Sequence, residues 1–357
     1  VSKKLLTVLE DTTYDEIINF SQELHIIPGL NHPAILKFIG YMQSFTGNRL
    51  PTIIVEYSSK GSLLKYIEAN AKSTENQLNE TNKLIIVYGI ASAMSYLHSH
   101  DILHRDLKLA NIYLDNSLNP KLSGFNISIQ INNKSRERRP KIKGTPAYIA
   151  PEVYLNKEYS KASDVYSFGL IMYEMFTGHK AFEHFYSPKQ IREYLLEQQQ
   201  QQQQHCLTFE FPIAETYRRL IERCCSNKPE ERPTFSEIVY ELANNEGYIN
   251  DEIDASKFQE YIKYIKESET SFDQTKRITL FDDAFTSRLN TFQESNFFVD
   301  LNAIYDTDIN GISFDYNYFD MSNYHEEKLD KGIFYVVKKM INNTTNEEYV
   351  SKKLFNK

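Results

Sequence analysis

The chain of 357 residues has few cysteines and no long apolar run. Its three cysteines, Cys206, Cys224 and Cys225, cannot form a disulfide framework and do not have metal-ligand spacing, which favours a reducing compartment, the cytoplasm. No apolar stretch approaches the roughly 18 residues that cross a bilayer, which argues against a membrane protein. The first residues also lack the features of a signal peptide.

Neither sign of charge is in large excess over the whole chain, whose net charge is −8. The acidity is concentrated in residues 247–330, which hold 18 of the 48 acidic residues but 7 of the 40 basic ones. This balance argues against nucleic acid as a partner of the chain as a whole.

Composition divides the chain into three parts. Residues 1–246 are near neutral and have the apolar spacing of a large globular domain, including a helix over residues 160–178 that is apolar on all sides. Residues 198–204 are seven glutamines, which we interpret as a solvated loop insertion in that domain. Residues 247–322 are acidic and rich in Phe and Tyr, which predicts a linker that contacts a neighbour. Residues 323–357 have the alternation of β-strands.

The clearest chemical signal is the stretch His-Arg-Asp-Leu-Lys-Leu-Ala-Asn at residues 104–111. Transfer of a phosphoryl group to a hydroxyl needs a carboxylate to accept the proton, a cation near the phosphoryl group and an oxygen ligand for Mg²⁺. Asp106, Lys108 and Asn111 supply these three groups. The stretch resembles the catalytic loop of eukaryotic protein kinases, nearest the Ser/Thr and tyrosine-kinase-like groups.

Other motifs extend this resemblance over residues 1–246. Ala-Pro-Glu, ending at Glu152, matches the end of the kinase activation segment, and Gly-Thr-Pro around Thr145 resembles the loop that faces the substrate. Asp164 matches the aspartate that anchors the catalytic loop, and Arg232 matches the arginine that pairs with Glu152. The resemblance implies an α+β, two-lobed fold with residues 1–57 as a partial small lobe, which lacks its first strands, and residues 58–246 as a helical large lobe.

The resemblance also implies a site for ATP. Lys3 fits the strand lysine that holds the phosphates, with Lys4 as an alternative, and Glu23 fits its helix partner. The residues that meet adenine fall in the hinge and beneath the base: Val55, Glu56, Ser58 and Tyr113. An apolar spine that rests on Asp164 is implied at Phe38, Ile27, Phe125 and His104.

Three departures from the family weaken the implied activity. Gly124 stands where the family has the metal-binding aspartate, so Asn111 is the remaining metal ligand and Mg²⁺ binding is in doubt. Tyr113 replaces a compact aliphatic residue under the adenine ring. The glycine-rich loop that should precede Lys3 is missing there.

The sequence Val-Ser-Lys-Lys-Leu occurs twice, at residues 1–5 and 350–354. Ahead of the second copy, residues 329–337 resemble a glycine-rich loop that retains only Gly332. We interpret the chain as a section of a protein with tandem kinase-like domains, in which residues 323–357 begin a second small lobe. Alternatively, residues 324–354 fold back and complete the first small lobe.

Two functional hypotheses follow. In the first, the protein is an impaired Ser/Thr-type kinase, a pseudokinase that binds nucleotide or acts as a scaffold. In the alternative, it is an active ATP-dependent Ser/Thr kinase with Asp106 as the base. The expected partners are a protein substrate or scaffold partner and a neighbouring kinase-like domain in cis.

Overall fold

The computed structural model describes residues 19, 22–42, 52–71, 77–131, 142–201, 203–205, 207–270, 324–331, 335–343, 345–346 and 348–354. These residues form the predicted α+β fold, with a small lobe built on a β-sheet and a large lobe built from helices. Lys3, Gly332 and residues 132–141 of the activation segment lie outside the described part of the chain.

The strands are numbered in chain order. They are β1 (Phe38–Met42), β2 (Thr52–Glu56), β3 (Ile102–Leu103), β4 (Ile112–Leu114), β5 (Pro120–Leu122), β6 (Ile129–Gln130), β7 (Tyr324–Lys331), β8 (Tyr335–Asn342) and β9 (Glu348–Leu354).

The small lobe contains an antiparallel sheet of five strands in the order β1-β2-β9-β8-β7. The last three strands of the chain therefore lie beside its first two. Strand β9 pairs with β2 over five residues, from Thr52 opposite Lys353 to Glu56 opposite Tyr349. The hypothesis that residues 324–354 fold back requires this pairing, whereas a separate second lobe over residues 323–357 does not.

Contacts of side chains attach β8 and β9 to the rest of the lobe. Met340 in β8 and Ser351 in β9 are buried. The Lys339 ammonium lies 2.6 Å from a Glu348 carboxylate oxygen and 4.8 Å from the centre of the Tyr57 ring, directly after β2. The added strands thus reach the segment that joins the two lobes.

The helices carry the large lobe. They are α1 (Leu63–Asn70), α2 (Glu80–Ser99), α3 (Pro151–Asn156), α4 (Lys161–Thr177), α5 (Pro188–Gln200), α6 (Glu215–Cys224), α7 (Phe235–Asn244) and α8 (Ala255–Thr270). In addition, residues 22–26 are helical and continue into a 3₁₀ turn at Ile27–Gly29.

Helices α2 and α4 lie at the centre of the large lobe. Most residues of both helices are buried, as the all-round apolar pattern of residues 160–178 predicts. The Asn79 side chain accepts a hydrogen bond from the backbone of Asn82 at the start of α2, and Ser160 forms a capping box with Ser163 at the start of α4. These caps fix where the two helices begin.

The glutamine run differs from the loop predicted for residues 198–204. Its first three residues continue α5 to Gln200, because glutamine has a good helix propensity and the helix is already nucleated. The run is then attached to the large lobe, since Asn227 donates hydrogen bonds from its backbone to the Gln204 carbonyl and from its side chain to the Gln203 carbonyl.

The segment that we interpret as a linker, 247–322, contains structure at its start. Residues 255–270 form α8, which packs on α2 through the buried side chains of Phe258, Tyr261, Ile262 and Ile265. The Phe258 ring meets the Tyr88 ring edge-on with centroids 5.6 Å apart. The globular body therefore extends beyond residue 246, and residues 271–322 lie outside the described part of the chain.

Candidate active site

The candidate active site is built on the loop between β3 and β4. Asp164, in the first turn of α4, is buried and holds this loop by its backbone: its carboxylate oxygens accept hydrogen bonds from the His104 and Arg105 amides at 3.0 and 2.9 Å. His98 adds a contact of 2.9 Å from its Nε2 atom. Burial alone would raise the pKa of Asp164, but the His98 hydrogen bond and the other partners outweigh it and lower the pKa. Asp164 therefore anchors this loop, as the family resemblance implies.

The His104 side chain fills the space between this anchor and Phe125. Its ring lies 5.1 Å from the Phe125 ring, and its Nε2 atom lies 2.9 Å from the Ser123 carbonyl oxygen, which can only accept. Burial lowers the pKa of His104, so the ring is neutral with its proton on Nε2. Ile27 and Phe125 both belong to the buried apolar core of the chain, and Phe38 packs against that core.

The Asp106 carboxylate contacts both of the other residues predicted for catalysis, Lys108 and Asn111. Its Oδ2 atom lies 2.8 Å from the Lys108 ammonium and accepts a hydrogen bond of 2.9 Å from the Asn111 amide. Its Oδ1 atom accepts hydrogen bonds from the hydroxyl and the backbone amide of Thr145, at 2.7 and 3.1 Å. Four donors therefore surround one carboxylate, an arrangement that fixes its position.

Thr145 has a larger part in the site than its place in a Gly-Thr-Pro motif indicates. Its hydroxyl accepts a hydrogen bond of 2.7 Å from the Lys108 ammonium and donates one to Asp106. The end of the activation segment is thereby connected to both the carboxylate and the cation of the catalytic loop.

Gly124 leaves no space for a metal-binding side chain in this arrangement. It has φ of +92°, in the left-handed region that favours glycine. A Cβ atom there would lie 2.5 Å from both Cγ and Nδ2 of Asn111. The Asn111 amide nitrogen donates to the carbonyl and the carboxylate of Asp106, so the amide occupies the space next to Gly124.

The donor set does not fit Mg²⁺. Among the described residues, no group of three His, Cys, Asp or Glu side chains is placed to hold a metal ion. At the predicted position, Asp106 is the one carboxylate among the described residues. Its oxygens already accept three hydrogen bonds and form an ion pair with Lys108, and glycine supplies no ligand. Mg²⁺ prefers octahedral coordination by oxygen, with carboxylates among its ligands.

The residues predicted for the hinge surround the join between the lobes. Val55 packs against the buried core. The Glu56 carboxylate lies 3.2 Å from the Lys121 ammonium and accepts a hydrogen bond of 2.9 Å from the Lys37 amide. Ser58 is buried, and its hydroxyl has no hydrogen-bond partner in the described part of the chain. Glu56 is therefore engaged in joining the lobes.

Tyr113 belongs to the large lobe and Glu23 to the helical segment that precedes β1. Tyr113 is half-buried in β4, where it pairs with Lys121 of β5. Glu23 is buried in the helical segment 22–26. Because Lys3 lies outside the described residues, the pair of Lys3 with Glu23 stays a prediction.

Two further contacts stabilise the segment around the site. Arg232 and Glu152 form the predicted buried ion pair, with two nearly parallel hydrogen bonds of 2.7 and 2.8 Å. The Arg105 guanidinium lies 4.3 Å over the Tyr159 ring, and the Tyr159 hydroxyl is hydrogen-bonded to the backbone N–H and C=O of Lys143. No signal in the sequence singles out Tyr159, because its partners lie 16 and 54 residues away in the chain.

The fold and the catalytic loop are those of a protein kinase domain. The model of the protein tyrosine and serine/threonine kinase family matches residues 3–242, and the chain belongs to this family.

Curated relatives agree with this class. The dual specificity protein kinase shkC of Dictyostelium discoideum is 30% identical over 62% of this chain and 42% of its own length. The serine/threonine-protein kinase CTR1 of Arabidopsis thaliana is 31% identical over 67% of this chain and 28% of its own. The chain thus spans less than half the length of each of these relatives. Among the described residues, no helix is both long and apolar enough to span a bilayer.

Proposed function

We propose that this chain is a Ser/Thr-type protein kinase domain with impaired or absent phosphotransfer, a pseudokinase that binds nucleotide or acts as a scaffold in signalling. The observation that carries this proposal is Gly124, which offers no metal ligand and whose neighbour Asn111 is turned onto Asp106. Without a carboxylate to hold Mg²⁺, the charge that develops on the transferred phosphoryl group lacks its main counter-charge.

A second candidate is an active, ATP-dependent Ser/Thr kinase with Asp106 as the base. The specific observation in its favour is the complete set of contacts among Asp106, Lys108, Asn111 and Thr145, which would orient a substrate hydroxyl. In this case Mg²⁺ would have to be held by phosphates, Asn111 and water.

Variants at Gly124 distinguish the candidates. Gly124→Asp restores a carboxylate, and Gly124→Ala is the matched control, because its Cβ atom displaces Asn111 in the same way but adds no ligand. We expect stabilisation by ATP, measured as a shift in melting temperature, to be independent of Mg²⁺ in the wild type and in Gly124→Ala. Only Gly124→Asp should acquire dependence on Mg²⁺.

A phosphotransfer assay on the same proteins, together with Asp106→Asn, tests the active-kinase alternative. Phosphotransfer by the wild type that Asp106→Asn abolishes would establish the active kinase and disprove the pseudokinase.

The family implies protein partners, and we extend this to a protein substrate or scaffold partner and to a neighbouring kinase-like domain in cis. A cytoplasmic location is part of the same proposal. It is supported by the small number of cysteines, three in 357 residues, of which Cys224 and Cys225 are buried.

A further inference from the structure

The segment that joins the two lobes, residues 56–61, is attached to both of them by its backbone. We call it the hinge segment. Near its end, the Lys60 amide donates a hydrogen bond of 3.2 Å to the Leu114 carbonyl in β4 of the large lobe. At its start, the Glu56 amide donates one of 2.9 Å to the carbonyl of the residue that precedes β1 of the small lobe. Tyr57 lies between these two attachments, and its side chain is half-buried.

Lys339 in β8 reaches Tyr57 from the other end of the chain. Its ammonium lies 4.8 Å from the centre of the Tyr57 ring and 2.6 Å from a carboxylate oxygen of Glu348 in β9. The Lys339 side chain is 16% exposed. A cation over an aromatic ring contributes more when it is removed from water than at an exposed site. We therefore expect this contact to stabilise more than an ordinary ion pair at the surface does.

The pairing of the strands shows on which face of the sheet this contact lies. Lys339 pairs directly with Val350 of β9, which pairs directly with Val55 of β2. Directly paired residues in an antiparallel sheet lie on the same face. These three residues are half-buried, whereas Met340, the next residue in β8, is buried on the other face. Lys339 therefore contacts Tyr57 from the face that carries Val55, the residue predicted to border the adenine.

We propose that Lys339 is a positioning residue for the hinge segment. Through Lys339, strands β8 and β9 hold Tyr57 and so restrict the movement of the two lobes relative to each other. Glu348 fixes the ammonium by a charge-assisted hydrogen bond, and the ammonium fixes the ring. The consequence of this restraint for nucleotide binding rests on the proposed function, whereas the restraint itself does not.

Hydrogen exchange of the full chain, measured by mass spectrometry without nucleotide, tests the restraint. We expect Lys339→Met to speed exchange of the hinge-segment amides by on the order of fivefold, because opening of the segment no longer breaks the contact with the ring. Lys339→Arg should return exchange to the wild-type rate, since a guanidinium keeps the charge and stacks on aromatic rings. Lys60→Met is the matched control, because Lys60 is an exposed lysine in the same segment.

The partner of Lys339 is tested by a double-mutant cycle. Tyr57→Leu should speed exchange of the hinge segment by a factor similar to that of Lys339→Met, and adding Lys339→Met to it should change the rate by less than about twofold. The amides of α4 report opening of the large lobe and should exchange as in the wild type in every variant. Tyr57→Leu also tests the contact if Lys339→Met fails to fold.

Three results would overturn the proposal. They are wild-type exchange of the hinge segment in both Lys339→Met and Tyr57→Leu, an equal effect of Lys339→Met with and without the Tyr57 ring, and no recovery in Lys339→Arg.

Titration with a fluorescent ATP analogue measures the consequence for the proposed nucleotide site. We expect Lys339→Met to bind the analogue about threefold more weakly and Lys339→Arg to stay within about twofold of the wild type, because a less ordered hinge segment has to be ordered on binding. Equal binding by the wild type and Lys339→Met would overturn this consequence. If the wild type binds no analogue, the proposed nucleotide site fails, while hydrogen exchange decides the role of Lys339 by itself.

Discussion

Tyr159 shows how one side chain connects two parts of the site that are far apart in sequence. Its ring lies against the Arg105 guanidinium, next to Asp106, and its hydroxyl is hydrogen-bonded to the backbone of Lys143 at the end of the activation segment. Burial raises the pKa of Tyr159, so the hydroxyl keeps its proton at neutral pH and remains able to donate. Tyr159 therefore holds the end of the activation segment against the catalytic loop.

We expect the two contacts of Tyr159 to be separable. Tyr159→Phe keeps the ring over Arg105 but loses the hydrogen bonds to Lys143, and should lower the free energy of unfolding by about 1 kcal/mol. Tyr159→Leu also loses the cation–π contact and should lower it by about 1 kcal/mol more.

Chemical denaturation measures both values, and Tyr240→Phe is the control because Tyr240 is 71% exposed. Equal stability of wild type, Tyr159→Phe and Tyr159→Leu would show that Tyr159 does not hold the segment.

At the scale of elements, the predictions from sequence succeed where a motif's spacing or the family resemblance supports them, and fail where the composition of a longer segment obscures a local pattern. Asp106, Lys108 and Asn111 lie within six residues of one another, so their spacing alone brings them together. The pair of Arg232 with Glu152 could be predicted from the family resemblance. The helix over 255–270 was hidden because the acidic composition of residues 247–322 as a whole obscured the spacing of Phe258, Tyr261, Ile262 and Ile265, which is that of a helix.

Gly89 is the residue that allows α8 to pack closely on α2. A Cβ atom there would lie within 2.5 Å of the Pro120 ring and would also meet the Tyr261 hydroxyl. In the middle of a helix, Gly→Ala normally adds about 1 kcal/mol of stability. The overlap should outweigh this gain, since overpacking costs about 1–3 kcal/mol.

We therefore expect Gly89→Ala to be less stable than the wild type in chemical denaturation and to show faster hydrogen exchange in α8. Tyr261→Phe in the same chain removes one of the two overlapping groups and should recover part of the loss. A more stable Gly89→Ala variant would mean that helix propensity decides the outcome and that α8 does not need the glycine.

At the scale of the whole molecule, the two ends of the chain matter because one lobe is assembled from both. Strands β1 and β2 come from the first 56 residues, and β7, β8 and β9 from the last 34. The sequence could show that two identical segments exist, but it could not show which of them lies beside β2, because identical segments offer the same hydrogen bonds and the same side chains. In the structure the second copy lies there as β9, which pairs with β8, and Lys339 of β8 contacts Glu348 and Tyr57.

A chain that ends at Thr270 should therefore lose not only its last three strands but also the protection that they give to β2. Ile54 would lose its cover, and the backbone of β2 would be left as an open edge, which is a template for pairing with other chains. In size-exclusion chromatography we expect this truncated chain to associate or aggregate more than the full chain does.

A chain that ends at Leu354 is the matched control, because it keeps all three strands and should behave as the full chain does. A synthetic peptide of residues 324–354, added in trans, should reverse the association by occupying the edge. If the chain that ends at Thr270 elutes and melts as the full chain does, the large lobe with β1 and β2 is stable by itself, and the three last strands are not needed to complete it.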